Sequence, residues 1–506
     1  MGEVIYLSRR RLLQLGGVTA LAMAAGCATS SEEDGGDAAS TQLVFASTSI
    51  TNSLDPLIAL SSVGTTFTTQ VYDPLVDLGA EGKPVPALAT AWKQVDDLTV
   101  EFTLREGVVF HEGGAFDAAA VVANIERVLS DNPAFAARKG EMGFLKGAEA
   151  VDAKTVRVTT SKPDPVLLNR LSRLHIVDPA VFDKDPAKVA SGTGPFKVAK
   201  YEPNKSIDLE AFTESWRAPE TLTSARLIAI PDSGTMTTAL RSGEIDAVFG
   251  LPPAVAAQLK DFNVQAPPAG SCAILSMIPA VEAKLRDKNV RTALNLAVNK
   301  DEFVKEGLSG FGEVPTGQLL QPGYPGYDDS LKGFGFDAAK AKQLLADAGA
   351  DGITLNIATT ALFKQQAEIV AGYLTEVGIK SEVVIQDLAT FITSLLKKSE
   401  VPLLYWQTDY FDLKDIASVS RFGPQPEGVQ SHFENDDYTS LFAESGTEMD
   451  PDARAATIRE MAGVLNAEAG VVFLAWPKTV YVHPESVDLG LTPNGNASLA
   501  TSKKKS

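Results

Sequence analysis

The chain has 506 residues, of which 44% are hydrophobic and 22% charged, the composition of a globular protein of two or three domains. A formal charge of -19 argues against a nucleic-acid partner, which would need a basic surface to neutralise phosphates, and reads as solubility instead. The two cysteines are Cys27 and Cys272, and the four histidines, His111, His175, His432 and His483, are scattered, so neither a disulfide in the folded part nor the ligand spacing of a zinc site is expected.

In chain order the first element is a leader. Arg9, Arg10 and Arg11 precede an apolar stretch from Leu12 to Ala25, relieved by Gly16 and Gly17. Residues 1–26 therefore read as a signal peptide, with an apolar run short of the ~20 residues that span a bilayer. Ser8-Arg9-Arg10-Arg11-Leu12-Leu13 resembles the twin-arginine export signal; a Sec leader that carries three arginines is the alternative. Ala24-Ala25-Gly26-Cys27 resembles a lipobox, in which the Cys27 thiol takes the diacylglyceryl group, although Ala24 stands where leucine is usual. Residues 27–40 are small, acidic and glycine-containing and read as a flexible tether. At the other end Lys503 to Ser506 read as a frayed basic terminus.

Between these ends the apolar periodicity alternates between strand and helix. Leu98 to Leu104 alternates as a strand, and Asp117 caps a helix whose apolar positions are Val121, Val122, Ile125, Val128 and Leu129. Phe196–Tyr201 and Ser206–Phe212 flank Glu202-Pro203-Asn204-Lys205 as a hairpin. Asp337 opens a helix that Gly349 closes, and Leu362 to Val377 form another that stops at Gly378. Pro451 to Ala467 form a third, with Asp450 as N-cap and Ile458, Met461 and Leu465 turned inward; proline suits the first helical position because its missing N–H has no partner there anyway.

Several stretches, in order, resemble the extracytoplasmic solute-binding family of ABC importers (family 5), which includes oligopeptide-, dipeptide- and nickel-binding proteins. They are Leu104-Arg105-Glu106-Gly107-Val108-Val109-Phe110-His111-Glu112-Gly113 with Phe116-Asp117-Ala118; Gly192-Thr193-Gly194-Pro195-Phe196; Leu240-Arg241-Ser242-Gly243-Glu244-Ile245-Asp246; Asn289 to Asn295; Asp337 to Gly349; and Glu468-Ala469 running to Trp476. The resemblance implies an α/β, two-lobed, periplasmic-binding-protein-like fold with an extra inserted domain and mixed sheets flanked by helices. Its expected parts are a first lobe from 41–72, 183–264 and 480–498, an inserted domain at 73–182 and a second lobe at 265–479.

Fragments of catalytic motifs do not assemble. Ser394-Leu395-Leu396-Lys397 fits Ser-x-x-Lys, but Ser130-Asp131-Asn132 lies upstream of it and Lys-Thr-Gly is absent. Gly192-Thr193-Gly194 lacks the third glycine of a dinucleotide loop, and a strand pattern follows it where a helix would be needed. Without a complete motif there is no visible nucleophilic apparatus, and a binding module, not an enzyme, is expected.

The stretch Leu403 to Asp412 starts apolar, as a strand, and turns polar and aromatic, as the mouth of a cleft. An acid there can hold an ammonium by a charge-assisted hydrogen bond, and Trp406 and Tyr410 supply rigid walls. In peptide-binding members of the family, the acid of a Trp-x-x-Asp arrangement holds the free amino group, and Trp406 and Asp409 match it. The candidate ligand residues are therefore Asp409, Trp406, Thr408 and Tyr410, with Val63 and Thr65 opposite them in the loop Ser61 to Thr66. A turn cap at Asp409, a core role for Trp406 and, as the favoured reading there, a plain helix entry at Ser61 to Thr66 are the structural alternatives. His432 is a candidate metal contact by resemblance to nickel-binding members, with an exposed loop histidine as the favoured reading. The expected function is that of a lipoprotein anchored by Cys27 outside the cytoplasm, which binds a short peptide or amine-bearing solute and passes it to importer permease subunits. It is expected to act as a monomer without a cofactor. A nickel chelate is the alternative ligand; a cell-surface enzyme and a signalling or adhesion lipoprotein are the alternatives of other classes.

Overall fold

The computed structural model describes residues 41–59, 62–79, 82–185, 188–409, 422–423, 425, 430–492 and 495–505, without the side chains of Ser62, Val63, Thr408 and Asp409. The leader, Cys27, the tether and Tyr410 lie outside the described residues. The architecture is mixed α/β, built on three main sheets.

The first lobe carries a seven-stranded sheet in the order Asn263–Gln265, Tyr481–His483, Ala247–Phe249, Gln42–Ser47, Ser224–Ala229, Ser206–Ala211, Phe196–Glu202. Gln42–Ser47 is parallel to both of its neighbours, which makes it a buried central strand with Leu43 and Phe45 in the core. The expected hairpin closes through Asn204, whose φ of 58° suits an asparagine in a tight turn. Its entry, Gly192-Thr193-Gly194, runs against the end of the helix Ser62–Val71: a Cβ on Gly192 would overlap the Val71 carbonyl and the Tyr72 ring. Close backbone approach, not phosphate binding, accounts for these two glycines.

A four-stranded antiparallel sheet, Ala89–Asp96, Thr99–Leu104, Thr155–Thr160, Leu145–Asp152, forms a separate layer. The helix Ala118–Leu129 covers one face, burying Val121, Ile125 and Val128 against Phe102, Val156 and Val158. The Asp117 carboxylate caps it, accepting from Ala120 N at 3.1 Å.

The second lobe's sheet runs Gly312–Glu313, Val472–Pro477, Ser271–Met277, Leu403–Asp409, Ile357–Thr360, Val383–Gln386. Helices cover both faces. Lys288–Ala297, Ala338–Asp347 and Lys364–Glu376 pack on one around Leu275, Ile357 and Tyr405. Pro451–Ala467 lies on the other, with Ile458, Met461 and Leu465 buried beside Ile274 and Phe473 as expected. The helix expected from Leu362 begins as a 3-10 turn, Ala361–Phe363, and becomes α-helical only at Lys364.

Two expectations fail. The basic terminus is not frayed: Lys503–Lys504 pairs with Val487–Asp488, Lys504 meets the carboxylate of Asp246 at 2.8 Å, and Ser502 is fully buried. Acidic partners distant in sequence hold it. Nor is His432 exposed: Nε2 lies 3.2 Å from the Leu395 carbonyl and the ring meets Phe422 edge-on, inside the second lobe.

Candidate functional site

The strand directions locate a cleft. Asn263–Gln265 and Ala247–Phe249 are both antiparallel to Tyr481–His483, so the chain leaves the first lobe at the carboxyl edge of its parallel strands. It enters the second lobe as Ser271–Met277, antiparallel to Leu403–Asp409, and so starts at the carboxyl end of that strand. Val472–Pro477 returns the same way, because it too is antiparallel to Ser271–Met277. Both crossings therefore join carboxyl edge to carboxyl edge, the side on which open α/β sheets bind their ligands. The crossings stay paired: Ala269 N donates to the Pro477 carbonyl at 3.1 Å and Thr479 N to that of Pro267 at 2.9 Å. Pro267 and Pro268 stiffen one of them, and Gly270, with φ of 63°, supplies the turn into the second lobe. Sequence reasoning passed over this hinge, although two prolines and a glycine between apolar strands were a signal for it.

Asp409 is the last residue of its strand and pairs with Ser271, the first residue beyond the hinge glycine. Its backbone thus stands at the carboxyl edge beside the crossing, with Thr408 one place behind, opposite Cys272. Trp406 is half-buried, and its Nε1 donates to Ser276 Oγ at 2.9 Å. The indole joins the cluster around Ile274 and Phe473 to the one around Leu404 and Phe391. It is braced inside the second lobe, so that only part of it is free to serve as a wall.

On the first lobe, the helix-entry reading of the stretch Ser61 to Thr66 holds from Ser62 on, the first turn of the helix Ser62–Val71. Thr66 lines a small recess with Ser47, Ile50 and Thr51, which places this turn beside the carboxyl end of Gln42–Ser47. Thr65 faces elsewhere. It lines a cavity of about 260 Å³ between the helix and the four-stranded domain, whose other walls include Asp73, Arg138, His175 and Arg217, and no second-lobe residue contributes to it. In that cavity burial pushes the His175 imidazole down to about 4, so it is neutral at physiological pH.

Two side chains that fragments of catalytic chemistry would use, Cys272 and Ser394, are buried. Cys272 is fully buried, and burial holds its thiol well above its ordinary range. Ser394 is buried in the helix Leu388–Leu396, and its carbonyl accepts from the Gln430 amide at 2.7 Å. Among the described residues no group of three or more His, Cys, Asp or Glu is placed to hold a metal ion. No described helix is long and apolar enough to cross a membrane.

Comparison with known proteins agrees with this geometry. The family described as bacterial extracellular solute-binding proteins, family 5 Middle, matches residues 83–424. The glutathione-binding protein GsiB of Escherichia coli O1:K1 / APEC is 29% identical over 394 residues, 75% of this chain and 74% of that one. The periplasmic binding protein DppA of Helicobacter pylori, solved with the peptide STSA, superposes with a TM-score of 0.76 at 26% identity, covering 92% of this chain and 98% of that one. NikA of Staphylococcus aureus, solved with Ni(L-His)2, shares the fold with a TM-score of 0.73 at 16% identity, covering 92% and 100%. These relatives are binding proteins with two lobes, and this chain belongs to the bacterial extracellular solute-binding proteins of family 5.

Proposed function

We infer that the protein is a lipoprotein receptor that captures a short peptide, or a related amine-bearing solute, between its lobes and delivers it to the permease of an ABC importer. The observation that carries this reading is the placement of Asp409 at the carboxyl edge, against the first residue of the hinge-side strand. A carboxylate on that edge is an anchor for a ligand's ammonium. Trp406, Thr408 and Tyr410 belong to the same stretch of sequence, and the first helical turn at Val63 is the first-lobe contribution, without Thr65, which lines the cavity on the other side. The likeness to a peptide-bound DppA and to glutathione-binding GsiB, itself named for a peptide ligand with a free amine, supports the ligand class. The nickel-chelate alternative gains nothing from His432, which faces the Leu395 carbonyl inside the second lobe.

The first lobe comprises 41–72, 183–264 and 480–498, the inserted domain 73–182 and the second lobe 265–479; the membership of the three sheets supports this division. The protein works as a monomer. Ligand touches both carboxyl edges and so favours the closed arrangement. A true ligand, identified by mass spectrometry of what co-purifies with the native protein, is expected to reduce the radius of gyration in solution scattering. It is also expected to raise the melting temperature, with a stabilisation of about 2.7 kcal/mol at a ligand concentration of 100 dissociation constants. Tight binding with an unchanged scattering curve would remove the clamshell mechanism.

Residues 1–26 direct export, by the twin-arginine route, and Cys27 becomes the lipidated first residue of the mature chain, tethered through residues 28–40. Cys27→Ser is expected to shift the protein from the membrane to the soluble fraction and to abolish incorporation of labelled lipid. A variant that stays as membrane-bound as the parent would show that the anchor lies elsewhere.

A further inference from the structure

The two most exposed large apolar side chains among the described residues are Leu362, at 78%, and Leu388, at 66%. They are not scattered. Thr360 pairs with Gln386 at the carboxyl ends of two parallel strands, and each leucine stands two residues past its strand's end. Both therefore sit on the edge that carries Asp409, with Ile357–Thr360 next to Leu403–Asp409 and Val383–Gln386 beyond it. Leu388 opens the helix Leu388–Leu396, whose apolar face is only partly covered: Phe391 and Leu395 pack on Ala358 and Leu404, while Ile392 is 43% exposed.

Several polar groups near the same edges are engaged, although Gln386 Oε1 is buried without a hydrogen-bond partner. Asp387 caps the helix, accepting from Ala389 N and Thr390 N at 3.0 Å, and Asp232 caps another by accepting from Thr235 N at 2.7 Å. The cations nearest the strand ends are in ion pairs, Lys364 with Glu368 at 3.5 Å and Lys478 with Glu313 at 2.9 Å. Leu362 and Leu388 thus bring exposed hydrocarbon to this edge.

We propose that Leu362 and Leu388 form an apolar wall that selects peptides with large apolar side chains beyond the first position. This rests on the reading of Asp409 as the site of the free amino group. Neighbouring strands lie about 4.8 Å apart, so Leu362 is one step and Leu388 two steps, roughly 10 Å, from the strand of Asp409, while an extended peptide advances about 3.3 Å per residue. An extended peptide that crosses these strands from an amine held at Asp409 therefore brings its second or third side chain, about 3–7 Å along, to Leu362 and later ones, from about 7 Å along, towards Leu388. Glutathione, with two carboxylates and a small thiol, is a poor match for this wall.

The test uses Ala-Leu-Leu, Ala-Ser-Ser and reduced glutathione, with calorimetry on the parent and on the Leu362→Ser/Leu388→Ser double variant. Both positions are exposed, so the fold tolerates the change. The parent is expected to bind Ala-Leu-Leu about tenfold or more tighter than Ala-Ser-Ser, the scale of one buried leucine side chain. The double variant should narrow that gap to about threefold or less and leave the Ala-Ser-Ser affinity unchanged. The proposal is overturned if the selectivity is the same in both proteins. It is also overturned if the variant weakens both peptides equally, which would assign the leucines to contact between the lobes. Parent protein that binds Ala-Ser-Ser or glutathione as tightly as Ala-Leu-Leu overturns the apolar wall and leaves the peptide receptor standing. Failure of all three probes to bind at about 1 mM, where even the weakest specific complexes register, overturns both.

Discussion

Asp409→Asn is expected to weaken binding of the amine-bearing ligand by about 30- to several-thousand-fold, because truncating one partner of a buried charged pair costs about 2–5 kcal/mol. The substitution keeps the size of the side chain and removes its charge. The position argues for a large effect. Asp409 ends its strand opposite Ser271, next to the hinge, where the two carboxyl edges come closest together in the chain's connectivity. A carboxylate that closure removes from water needs a partner, and the ligand's ammonium is the natural one. The substitution preserves the shape of the side chain, so folding should be little affected: the chemical denaturation midpoints of parent and variant should agree. Calorimetry with the co-purified ligand settles the matter. A loss below about threefold with the fold intact would make Asp409 a turn cap. A ligand without a cationic nitrogen would remove the motive for the assignment.

What the sequence made legible was local. The hairpin around Asn204, the cap at Asp117 and the pair Asp450–Pro451 each announce themselves within a few residues, because turn and cap chemistry is set by nearest neighbours. The family resemblance supplied the two-lobed fold, and the glycines of Gly192-Thr193-Gly194 now have a physical reason in their contact with Val71 and Tyr72. What stayed hidden depends on partners far along the chain. The Lys503–Lys504 pairing needs Asp246 and the strand Val487–Asp488. His432 reads as a loop residue until the helix Leu388–Leu396 is folded beside it. Trp406 reads equally as core or as wall, and its bond to Ser276 gives it a share in both. The apolar pair Leu362 and Leu388 belongs to two different helix entries, and only the parallel pairing of their preceding strands sets them on one edge. The Trp-x-x-Asp spacing points to the strand Leu403–Asp409, which ends beside the crossing between the lobes. At Ser61 to Thr66 the sequence left a loop and a helix entry open, because a run of small and β-branched residues has weak helix propensity; tertiary packing decides for the helix from Ser62.

Asp73→Ala is expected to destabilise the protein by about 3 kcal/mol, the low end of the range for breaking a buried ion pair, since the Arg217 side chain remains partly exposed. Asp73, the first residue of the inserted domain, accepts three side-chain hydrogen bonds. Its Oδ2 accepts from Thr193 Oγ1 at 2.6 Å and from Trp216 Nε1 at 3.0 Å, and its Oδ1 accepts from Arg217 Nε at 2.5 Å. Arg217 in turn donates to the carbonyls of Thr69 and Tyr72, at 2.6 and 3.3 Å, and so satisfies acceptors left over at the end of the helix Ser62–Val71. One carboxylate thus ties together the helix that approaches the cleft, the close-packed Gly192–Gly194 turn and the Trp216 indole, over which the Arg105 guanidinium lies at 4.2 Å. Removing it leaves an indole N–H, a hydroxyl and a guanidinium short of a partner at once, whereas Asp73→Asn keeps one acceptor oxygen and should cost roughly half as much. The Asp73→Ala/Arg217→Ala double variant separates charge from packing. If the pair is the main term, the two losses should fall short of additivity by at least about 1 kcal/mol. Additive losses, or an Asp73→Ala midpoint indistinguishable from the parent's in urea, would show that the cavity behind the helix supplies water in place of the lost partners.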